Sequence, residues 1–298
     1  MTIFEALNSG AEQLKATLHE KHQAPGNPKL DAQVLLSHLI KKPSSYLFAH
    51  GEEVLSSEIE HSYLELIARR TLHEPVAYIT GEKEFFGRAF QVNQATLIPR
   101  PETELLVERA LDGAGFAPVF ADIGTGSGAI AVTLAAQSGG FVFATDVSKD
   151  ALDAAKTNAA IHDVSDRIFF LEGDLLLPFL QDLQAWMKRA ELKALTIVAN
   201  LPYISRRQYE NLDPDVKNFE PQSALLAGID GLDLYDRLLQ QLKNARGLFP
   251  ARLKLLMEID PAQSFSAVRL VLHYFPRATT TTINDLSGKA RIIEAFIP

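Results

Sequence analysis

From residue 119 onwards, short apolar segments alternate with helical segments, and this alternation limits the possible folds more than any other feature. Strand composition occurs at 119–121, 141–144, 168–171, 195–199 and 253–259, and helical spacing at 129–136 and 151–160. Consecutive parallel strands need a crossover between them, so the pattern predicts an α/β fold with a doubly wound, Rossmann-like parallel sheet. Two last apolar segments, 279–283 and 291–296, predict a C-terminal antiparallel hairpin.

The residues before this region follow a different pattern, which divides the chain into three predicted parts. Helical periodicity alone occurs in residues 1–74, beginning with the capping pair Thr2 and Glu5, so we predict a small all-α N-terminal domain there. Aromatic residues around Gly87 predict a hairpin linker over residues 75–100. The predicted sheet then occupies residues 101–298.

Composition excludes several classes of protein. The 298 residues include no cysteine, and the eight histidines show no metal-ligand spacing, so we expect neither disulfides nor a metal site. No segment approaches the roughly 18 consecutive apolar residues of a membrane span, and the first residues lack the basic stretch of a secretory signal. We therefore expect a cytoplasmic protein without membrane contact. The net charge of −8 argues against stable nucleic-acid binding, which usually needs a basic surface.

A glycine-rich loop follows the first strand of the predicted sheet. The loop residues are Gly124, Thr125, Gly126, Ser127 and Gly128. Its glycines allow a tight turn and a close approach to a ligand, and Asp146 ends the next strand about 20 residues on, where a carboxylate typically binds ribose hydroxyls. A dinucleotide fingerprint would need glycine at Ala129, whereas Asp122 would attract the cationic amino group of S-adenosylmethionine. We therefore expect S-adenosylmethionine as the cofactor, with a nicotinamide oxidoreductase as a weaker alternative.

Two further residues follow the third strand and reach the same edge of the sheet. The carboxylate of Asp174 could accept a hydrogen bond from an adenine amino group, and Leu175 could pack on the adenine ring. We predict both residues as cofactor contacts.

The tetrapeptide Asn200-Leu201-Pro202-Tyr203 ends the fourth strand and is the most specific indication of the reaction in the sequence. An amide or aromatic amine is a poor nucleophile because its lone pair is delocalised, so a catalyst has to hold the nitrogen in line with the methyl group. The side-chain oxygen of Asn200 and the carbonyl of Leu201 can accept the two N–H bonds and favour a pyramidal nitrogen. Pro202 fixes the backbone, and Tyr203 offers a flat face for stacking. We predict Asn200, Pro202 and Tyr203 as catalytic residues and the whole tetrapeptide as the substrate-binding segment.

Several other segments occur together with the glycine loop and the tetrapeptide. They are Pro75–Gly81, Glu84–Gly87, Leu97–Glu104, Phe219–Leu225 and Asp285–Arg291. In this combination, Ile98-Pro99-Arg100-Pro101-Glu102-Thr103-Glu104 is highly specific. Over nearly its whole length the chain resembles the glutamine methyltransferases of peptide chain release factors, the HemK/PrmC family.

This resemblance implies a fold, a reaction and a partner. The fold would be a methyltransferase sheet preceded by a helical substrate-docking domain. The reaction would be methylation, by S-adenosylmethionine, of the glutamine side-chain nitrogen in the Gly-Gly-Gln loop of bacterial class-I release factors. Gly124 to Gly128, Asp146, Leu175 and Asn200 would contact the cofactor, and Asn200 to Tyr203 would hold the glutamine. We expect a monomer whose partner is a release factor.

The sequence departs from the family pattern at four positions. Leu201 stands where the family usually has proline, Gln222 where a basic residue is common, Ile229 where an acid is common and Asp260 where glycine is usual. The role expected of residue 201 is a backbone carbonyl, which leucine keeps, so we expect activity to survive with less rigidity.

Two other functions remain as alternatives. The form Asn-Leu-Pro-Tyr also occurs in the family that dimethylates adenine in ribosomal RNA, and an adenine amino group poses the same chemical problem as an amide. The alternative is therefore an adenine amino-group methyltransferase acting on RNA or DNA, against which stand the acidic charge, the helical first domain and the segment Ile98–Glu104. A protein that binds S-adenosylmethionine without transferring its methyl group is supported only by Leu201.

Overall fold

The computed structural model describes residues 1–18, 27–113, 118–180 and 194–298. Within these ranges the helices and strands are, in chain order, α1 (Ile3–Leu18), α2 (Pro28–Ile40), α3 (Ser44–Ala49), α4 (Ser57–Thr71), α5 (Val76–Thr80), β1 (Glu82–Phe85), β2 (Arg88–Gln91), α6 (Glu104–Leu111), β3 (Val119–Ile123), α7 (Ala129–Ser138), β4 (Phe141–Asp146), α8 (Lys149–Ile161), β5 (Ile168–Glu172), β6 (Ala194–Ala199), α9 (Arg206–Glu210), α10 (Pro214–Lys217), α11 (Asp233–Asn244), β7 (Arg252–Glu258), α12 (Ser264–Tyr274), β8 (Thr279–Asn284) and β9 (Ala290–Ile297). They form two compact units, one of Met1–Glu82 with Leu212–Phe219 and one of Lys83–Asn211 with Glu220–Pro298.

The first unit contains helices α1 to α5 around one apolar core. Its fully buried side chains include Ile3, Leu14, Leu35, Leu36, Leu47, Tyr63 and Ile67. The predicted capping pair is present, because Glu5 N–H donates to Thr2 Oγ1 at 3.2 Å and Thr2 N–H donates to Glu5 Oε2 at 2.8 Å. At α2, the side chain of Asn27 accepts from the first backbone N–H groups, and Pro28 occupies the first helical position.

Arg70 on α4 holds the segment Leu212–Phe219 in this first unit. The Arg70 side chain is only 4% exposed; its Nε lies 2.9 Å from Asp31 Oδ2 and its NH1 lies 2.7 Å from Asp215 Oδ2. His73 Nδ1 lies 2.9 Å from the other carboxylate oxygen of Asp215. Removing one partner of a buried ion pair typically costs about 3–5 kcal/mol, so these contacts fix the segment firmly.

The second unit is built on a seven-stranded sheet in the order β5-β4-β3-β6-β7-β9-β8. Strands β5, β4, β3, β6 and β7 run parallel, and the hairpin β8–β9 joins β7 in the antiparallel sense. The predicted Rossmann-like sheet with a C-terminal antiparallel hairpin is therefore confirmed. A separate two-stranded sheet, β1–β2, turns at Phe86 and Gly87, which both have positive φ and so suit a tight hairpin.

Alternate residues of the central strands face two apolar layers, one on each side of the sheet. Ala121 and Ile197 contribute to one layer, and Phe120 and Val198 contribute to the other. Because these strands are covered on both faces, they are continuous apolar segments in the sequence. No helix of the described ranges is both long and apolar enough to cross a membrane.

Strand pairing brings the two sequence motifs to one place. Ile123 at the end of β3 pairs with Thr145 of β4 on one side and with Ala199 of β6 on the other. The glycine loop therefore leaves the sheet beside Asp146, and the tetrapeptide leaves it from the neighbouring strand. Ligands in open α/β sheets bind at this carboxyl edge, where strand order reverses.

Candidate active site

One cavity lies at this carboxyl edge, and both motifs line it. Of the residues predicted from the sequence, those that line it are Gly124, Thr125, Gly126, Ser127, Asp146, Asp174, Leu175, Asn200, Leu201 and Pro202. The predicted residues Gly128 and Tyr203 lie outside the lining. Thr103, Arg100 and Arg237 also line the cavity, although the tetrapeptide and loop patterns did not indicate them.

The glycine loop is held by backbone contacts to the neighbouring strand. The N–H groups of Gly124 and Thr125 both donate to the carbonyl of Thr145 at 2.9 Å, and Gly126 N–H donates to Asp146 Oδ2 at 2.9 Å. Gly124, Gly126 and Gly128 have φ values of 77°, 55° and 79°, in the left-handed region that favours glycine.

The loop glycines differ in the space around them. A Cβ atom added to Gly128 would lie 2.9 Å from the Cβ of Ala155 on α8, whereas a Cβ on Gly126 would meet no atom within 4 Å. Gly128 is therefore required for packing of the loop against α8, and Gly126 borders open space in the cavity.

The two acids near the loop occupy different positions. Asp146 is half-buried at the cavity wall and also accepts from Ser148 N–H at 2.9 Å; burial raises the pKa of its carboxyl, while these backbone N–H groups oppose the rise. Asp122 is fully buried, outside the cavity lining, and accepts from Thr125 Oγ1 at 2.7 Å. Burial raises the pKa of Asp122 to about 7. Asp122 does not line the cavity, so the attraction for a methionine amino group expected from the sequence would act without direct contact.

Asp174 and Leu175 follow β5 with unusual backbone geometry. Leu175 is a buried residue with φ of 51°, a conformation that costs a non-glycine residue roughly 1–3 kcal/mol and is concentrated at ligand sites. The Asp174 carboxylate already accepts from Gln241 Nε2 at 2.8 Å and lies 2.7 Å from the guanidinium of Arg237. Both partners come from α11, which thus orients this carboxylate at the cavity.

Long-range hydrogen bonds fix the tetrapeptide. Asn200 Nδ2 donates to Thr103 Oγ1 at 3.0 Å, and the backbone N–H of Leu201 donates to the hydroxyl of Tyr235 at 3.3 Å. The carbonyl of Tyr203 accepts from Gln263 Nε2 at 2.8 Å. Next to it, Ile204 forms an isolated parallel bridge with Leu226.

Leu201 shows how the departure from proline is accommodated. Its side chain is 3% exposed, and its Cδ2 lies so close to Gly124 that a Cβ there would be 2.9 Å away. Its N–H bond to Tyr235 is one that proline lacks the hydrogen to make. The backbone at 201 is therefore held by a hydrogen bond in place of a proline ring.

Tyr203 packs towards the interior of the sheet unit. Its half-buried ring lies against the apolar layer that contains Ile197. Its hydroxyl donates to Glu258 Oε1 at 3.4 Å, and burial together with the nearby Glu258 raises the pKa of Tyr203 well above its ordinary range. Tyr203 is not among the residues that line the cavity, and its stacking role stays a prediction.

A second turn, which contains Pro99 and Arg100, also lines the cavity. Arg100 makes an ion pair with Glu220, whose side chain is almost fully buried, and Ile98 N–H donates to Glu220 Oε2 at 3.1 Å. The sequence singled out both segments, Leu97–Glu104 and Phe219–Leu225, but their mutual contact could not be seen in either alone.

The cavity residues suit S-adenosylmethionine. Carboxylates at the ends of β4 and β5, Asp146 and Asp174, can accept from ribose hydroxyls and an adenine amino group, and the apolar Val147 and Leu175 can pack on a ring between them. No atom lies within 4 Å of the position that a Cβ on Gly126 would occupy, so a ligand can approach the backbone there.

The chain has sequence relatives that match it along its whole length. Residues 5–81 match the family described as the PrmC N-terminal domain, and residues 106–212 match the family of the ribosomal protein L11 methyltransferase PrmA. The chain is 33% identical over 303 residues to the release factor glutamine methyltransferase of Bacillus anthracis, covering 100% of both chains. It is 34% identical over 305 residues to that of Bacillus subtilis, covering 99% of this chain and 98% of the relative.

Solved structures support the fold. The catalytic domain of hMettl16, in complex with hairpin 1 of the MAT2A 3′UTR, matches with a TM-score of 0.55 over 88% of this chain and 90% of that chain. A second complex of the same domain, with hairpin 6, gives a TM-score of 0.52 over 78% and 82%. Identities of 17% and 18% make these likenesses of fold alone.

Proposed function

The chain belongs to the release factor glutamine methyltransferase family, and from that premise we propose that its substrate is the glutamine of the Gly-Gly-Gln loop in a bacterial class-I release factor. As a member of this family it is a methyltransferase that uses S-adenosylmethionine. The observation that carries the proposal is that Asn200 and Leu201 line the same cavity as the glycine loop and Asp146.

We assign the substrate half of the cavity to the tetrapeptide. The Asn200 side-chain oxygen and the Leu201 carbonyl accept the two N–H bonds of the substrate amide, and both acceptors stabilise the positive charge that develops on its nitrogen. Pro202, which lines the cavity, limits the backbone freedom of this segment. Stacking of the substrate amide on Tyr203 stays a prediction.

We assign the cofactor half to the residues after β3, β4 and β5. Asp146 accepts from the ribose hydroxyls, Asp174 accepts from the adenine amino group, and Leu175 packs on the adenine ring. Glycine-loop residues 124–127 border the methionine portion, and Gly128 keeps the loop packed against α8. Bound S-adenosylmethionine supplies a methyl group made electrophilic by its sulfonium.

The transfer needs positioning more than acid–base chemistry. A new N–CH₃ bond forms as the S–CH₃ bond breaks, the bonding electrons stay with sulfur, and the methylated amide then releases its extra proton to water. No general base is needed before the transfer, because the nitrogen carries the positive charge only after methylation begins. Holding the reacting atoms in line supplies most of the rate enhancement.

The helical domain, for which residues 1–74 were predicted, helps to dock the release factor, and the protein acts in the cytoplasm as a monomer without stable nucleic-acid binding. The acidic net charge of −8 supports the last point.

Mass spectrometry tests the proposal directly. The chain, S-adenosylmethionine and a purified class-I release factor are incubated, and the peptide containing Gly-Gly-Gln should gain the mass of one methyl group on glutamine. A release factor with glutamate at that position is the control and should gain none. Methyl transfer to ribosomal RNA with an unmodified release factor would contradict the proposal and favour the adenine alternative.

A further inference from the structure

One side chain of α11 contacts two residues of the turn that follows β5. Gln241 Nε2 donates to Asp174 Oδ2 at 2.8 Å, and Gln241 Oε1 accepts from the backbone N–H of Leu176 at 3.0 Å. Leu175 lies between these two residues in sequence and lines the cavity. Gln241 does not line the cavity itself, so any effect that it has on a ligand passes through the residues of this turn.

The two partners of Gln241 fix which end of its amide faces which group. A carboxylate only accepts hydrogen bonds, and a backbone N–H only donates one. Nε2 therefore has to face Asp174 and Oε1 has to face Leu176, because the flipped amide would set its oxygen against the carboxylate and its NH₂ against the N–H. Both hydrogen bonds form together in only one orientation of the side chain.

These hydrogen bonds help to explain how Leu175 keeps a conformation that leucine rarely adopts. Its φ is 51°, in the left-handed region, and the residue is buried. A strained residue of this kind persists only where the surrounding structure determines its position more than once. On one side of it the Leu176 N–H is bound to Gln241, and on the other Gly173 N–H donates to the carbonyl of Asp146 at 2.9 Å.

Gln241 projects from a helix that is firmly packed. Leu238, Leu239 and Leu242 of α11 are fully buried. A side chain on a packed helix is positioned more precisely than a side chain on a turn. The Asp174 carboxylate, which lies on a turn, therefore takes its orientation from α11.

Arg237 is the second partner that α11 provides for Asp174, and we expect a smaller contribution from it. Its guanidinium lies 2.7 Å from Asp174 Oδ1, but its side chain is 51% exposed. Exposed ion pairs are weakened by solvent and salt and contribute little. The hydrogen bond from Gln241 is half-buried, so solvent competes with it less and it is the contact that fixes the carboxylate.

We propose that Gln241 is a positioning residue for the adenine of S-adenosylmethionine, which holds the Asp174 carboxylate towards the 6-amino group and Leu175 against the ring. This inference rests on the proposed function, since Asp174 and Leu175 are assigned there to adenine. It makes Gln241 a determinant of the preference for a 6-aminopurine, because a carboxylate held in place can accept from an amino group and gains nothing from a purine without one.

The test compares two variants at residue 241 with a matched control on the same helix. Gln241→Leu removes both hydrogen bonds, whereas Gln241→Glu keeps the acceptor for the Leu176 N–H and places a second carboxylate against Asp174. Gln240→Leu is the control, because Gln240 is exposed and does not line the cavity. Each protein is measured for melting temperature and, by calorimetry, for the Kd of S-adenosylhomocysteine and of its analogue with hydrogen in place of the 6-amino group.

The ratio of the two Kd values reports the contact with the amino group. We expect the wild type and Gln240→Leu to bind S-adenosylhomocysteine roughly 10- to 100-fold more tightly than the analogue, the range for a hydrogen bond to a charged group. Both variants at residue 241 should bind the two compounds almost equally. Affinity for the analogue should be unchanged in Gln241→Glu, which keeps the Leu176 contact, and should fall a few-fold in Gln241→Leu.

Steady-state kinetics with a release factor give a second measurement. KM for S-adenosylmethionine should rise about tenfold in both variants at residue 241 while kcat stays within about twofold, because the adenine contact is made equally in the ground state and the transition state. A fall in kcat and in melting temperature without a rise in KM contradicts a positioning role.

The glutamate variant gives the sharpest result, and it is sufficient if the leucine variant does not fold. If Gln241 served only to hold the backbone of Leu176, Gln241→Glu would discriminate between the two compounds as the wild type does, and the inference would be overturned. A wild type that binds both compounds equally also overturns it, but leaves the proposed function intact if the same protein methylates the release factor. Conversely, a wild type that keeps the preference but leaves the release factor unmethylated contradicts the proposed substrate and supports the role of Gln241.

Discussion

The glycine loop after β3 and the tetrapeptide after β6 leave the sheet from paired residues, Ile123 and Ala199, but they are held in place in different ways. The glycine loop is fixed mostly by local means, namely left-handed glycines and hydrogen bonds to the end of the next strand. The tetrapeptide is fixed by side chains that lie far away in sequence, Thr103, Tyr235 and Gln263. The two halves of one cavity thus depend on very different parts of the chain.

This difference matches the tasks assigned to the two halves. A cofactor can be bound by a loop whose backbone is shaped locally, because backbone N–H groups and nearby carboxylates provide the contacts. In-line attack by a weak nucleophile requires acceptors placed within a fraction of an ångström, and such precision comes from support by several rigid elements. Substitutions in the two halves should therefore affect different measurements.

Asn200→Ala should give the largest loss of catalytic rate, and it should leave cofactor binding unchanged. Loss of the amide acceptor is expected to lower kcat by about 10²–10³, the range for removing one preorganised hydrogen-bonding group from a transition state. Melting temperature should stay close to that of the wild type, and S-adenosylhomocysteine should still bind. Turnover within a few-fold of the wild type would show that the tetrapeptide does not hold the nucleophile.

Gly128→Ala and Gly126→Ala form a matched pair for the glycine loop. The first places a methyl group 2.9 Å from Ala155 Cβ at φ of 79°, and the second places one in open space at φ of 55°. We expect Gly128→Ala to lower the free energy of unfolding by about 2–4 kcal/mol and Gly126→Ala by about 1 kcal/mol, from left-handed strain with and without a steric clash. Denaturant unfolding measures both.

The same pair distinguishes packing from ligand contact. The Gly126 methyl group would occupy space at the cavity wall, so this variant should lose cofactor affinity more than it loses stability. Equal stability of the two variants would contradict the assignment of Gly128 to packing against α8.

Tyr235→Phe should remove a buried hydrogen bond that holds the tetrapeptide in place. The buried hydroxyl accepts from Leu201 N–H and is within hydrogen-bonding distance of the carbonyls of Ala199 and Glu258, so its loss removes the acceptor of the Leu201 N–H. We expect a loss of about 1–3 kcal/mol in the free energy of unfolding and a roughly tenfold lower kcat/KM. Tyr274→Phe is the control. Among the described residues the exposed hydroxyl of Tyr274 donates a hydrogen bond only to Asp236, and Tyr274 does not line the cavity. If the two variants had equal kcat/KM, the tetrapeptide would not depend on Tyr235.

Asp122→Asn should give the smallest effect, a change in the pH dependence of stability. Burial raises the pKa of Asp122 in the folded protein from about 3.8 to about 7, so the native state binds this proton more tightly than the unfolded state. The resulting stabilisation is complete below about pH 4 and is lost as the pH rises through 7. Asparagine does not titrate, so the melting temperature of the variant should improve relative to the wild type by a few degrees between pH 5 and pH 8. A difference that does not vary with pH would mean that Asp122 stays charged in the folded state.

The sequence predicted the sheet and the glycine loop well for a physical reason. Buried parallel strands are continuous apolar segments, and the loop glycines adopt backbone angles that few other residues tolerate, so both features are visible within a few residues. The predicted order of strands and helices and the C-terminal hairpin are accordingly confirmed.

The supports of the tetrapeptide could not be predicted in the same way. Thr103, Tyr235 and Gln263 are separated from the residues they bind by 97, 34 and 60 positions, and no local pattern marks a hydroxyl or an amide as a partner of a distant loop. Asp122 was placed at the correct loop, but its full burial depends on tertiary packing that its neighbours in sequence do not reveal. The membership of Leu212–Phe219 in the helical unit likewise depends on Arg70, which is remote in sequence.

The isolated bridge between Ile204 and Leu226 has a consequence for how such a protein can change over evolution. The bridge joins the two ends of residues 205–225 into a closed loop, and one of these ends follows directly after the tetrapeptide. Lengthening a flexible loop lowers the stability of the fold little, since each doubling of its length costs only about 0.6 kcal/mol of closure entropy. We therefore expect residues inserted between α9 and α10 to leave the tetrapeptide in place, because the bridge between Ile204 and Leu226 is kept.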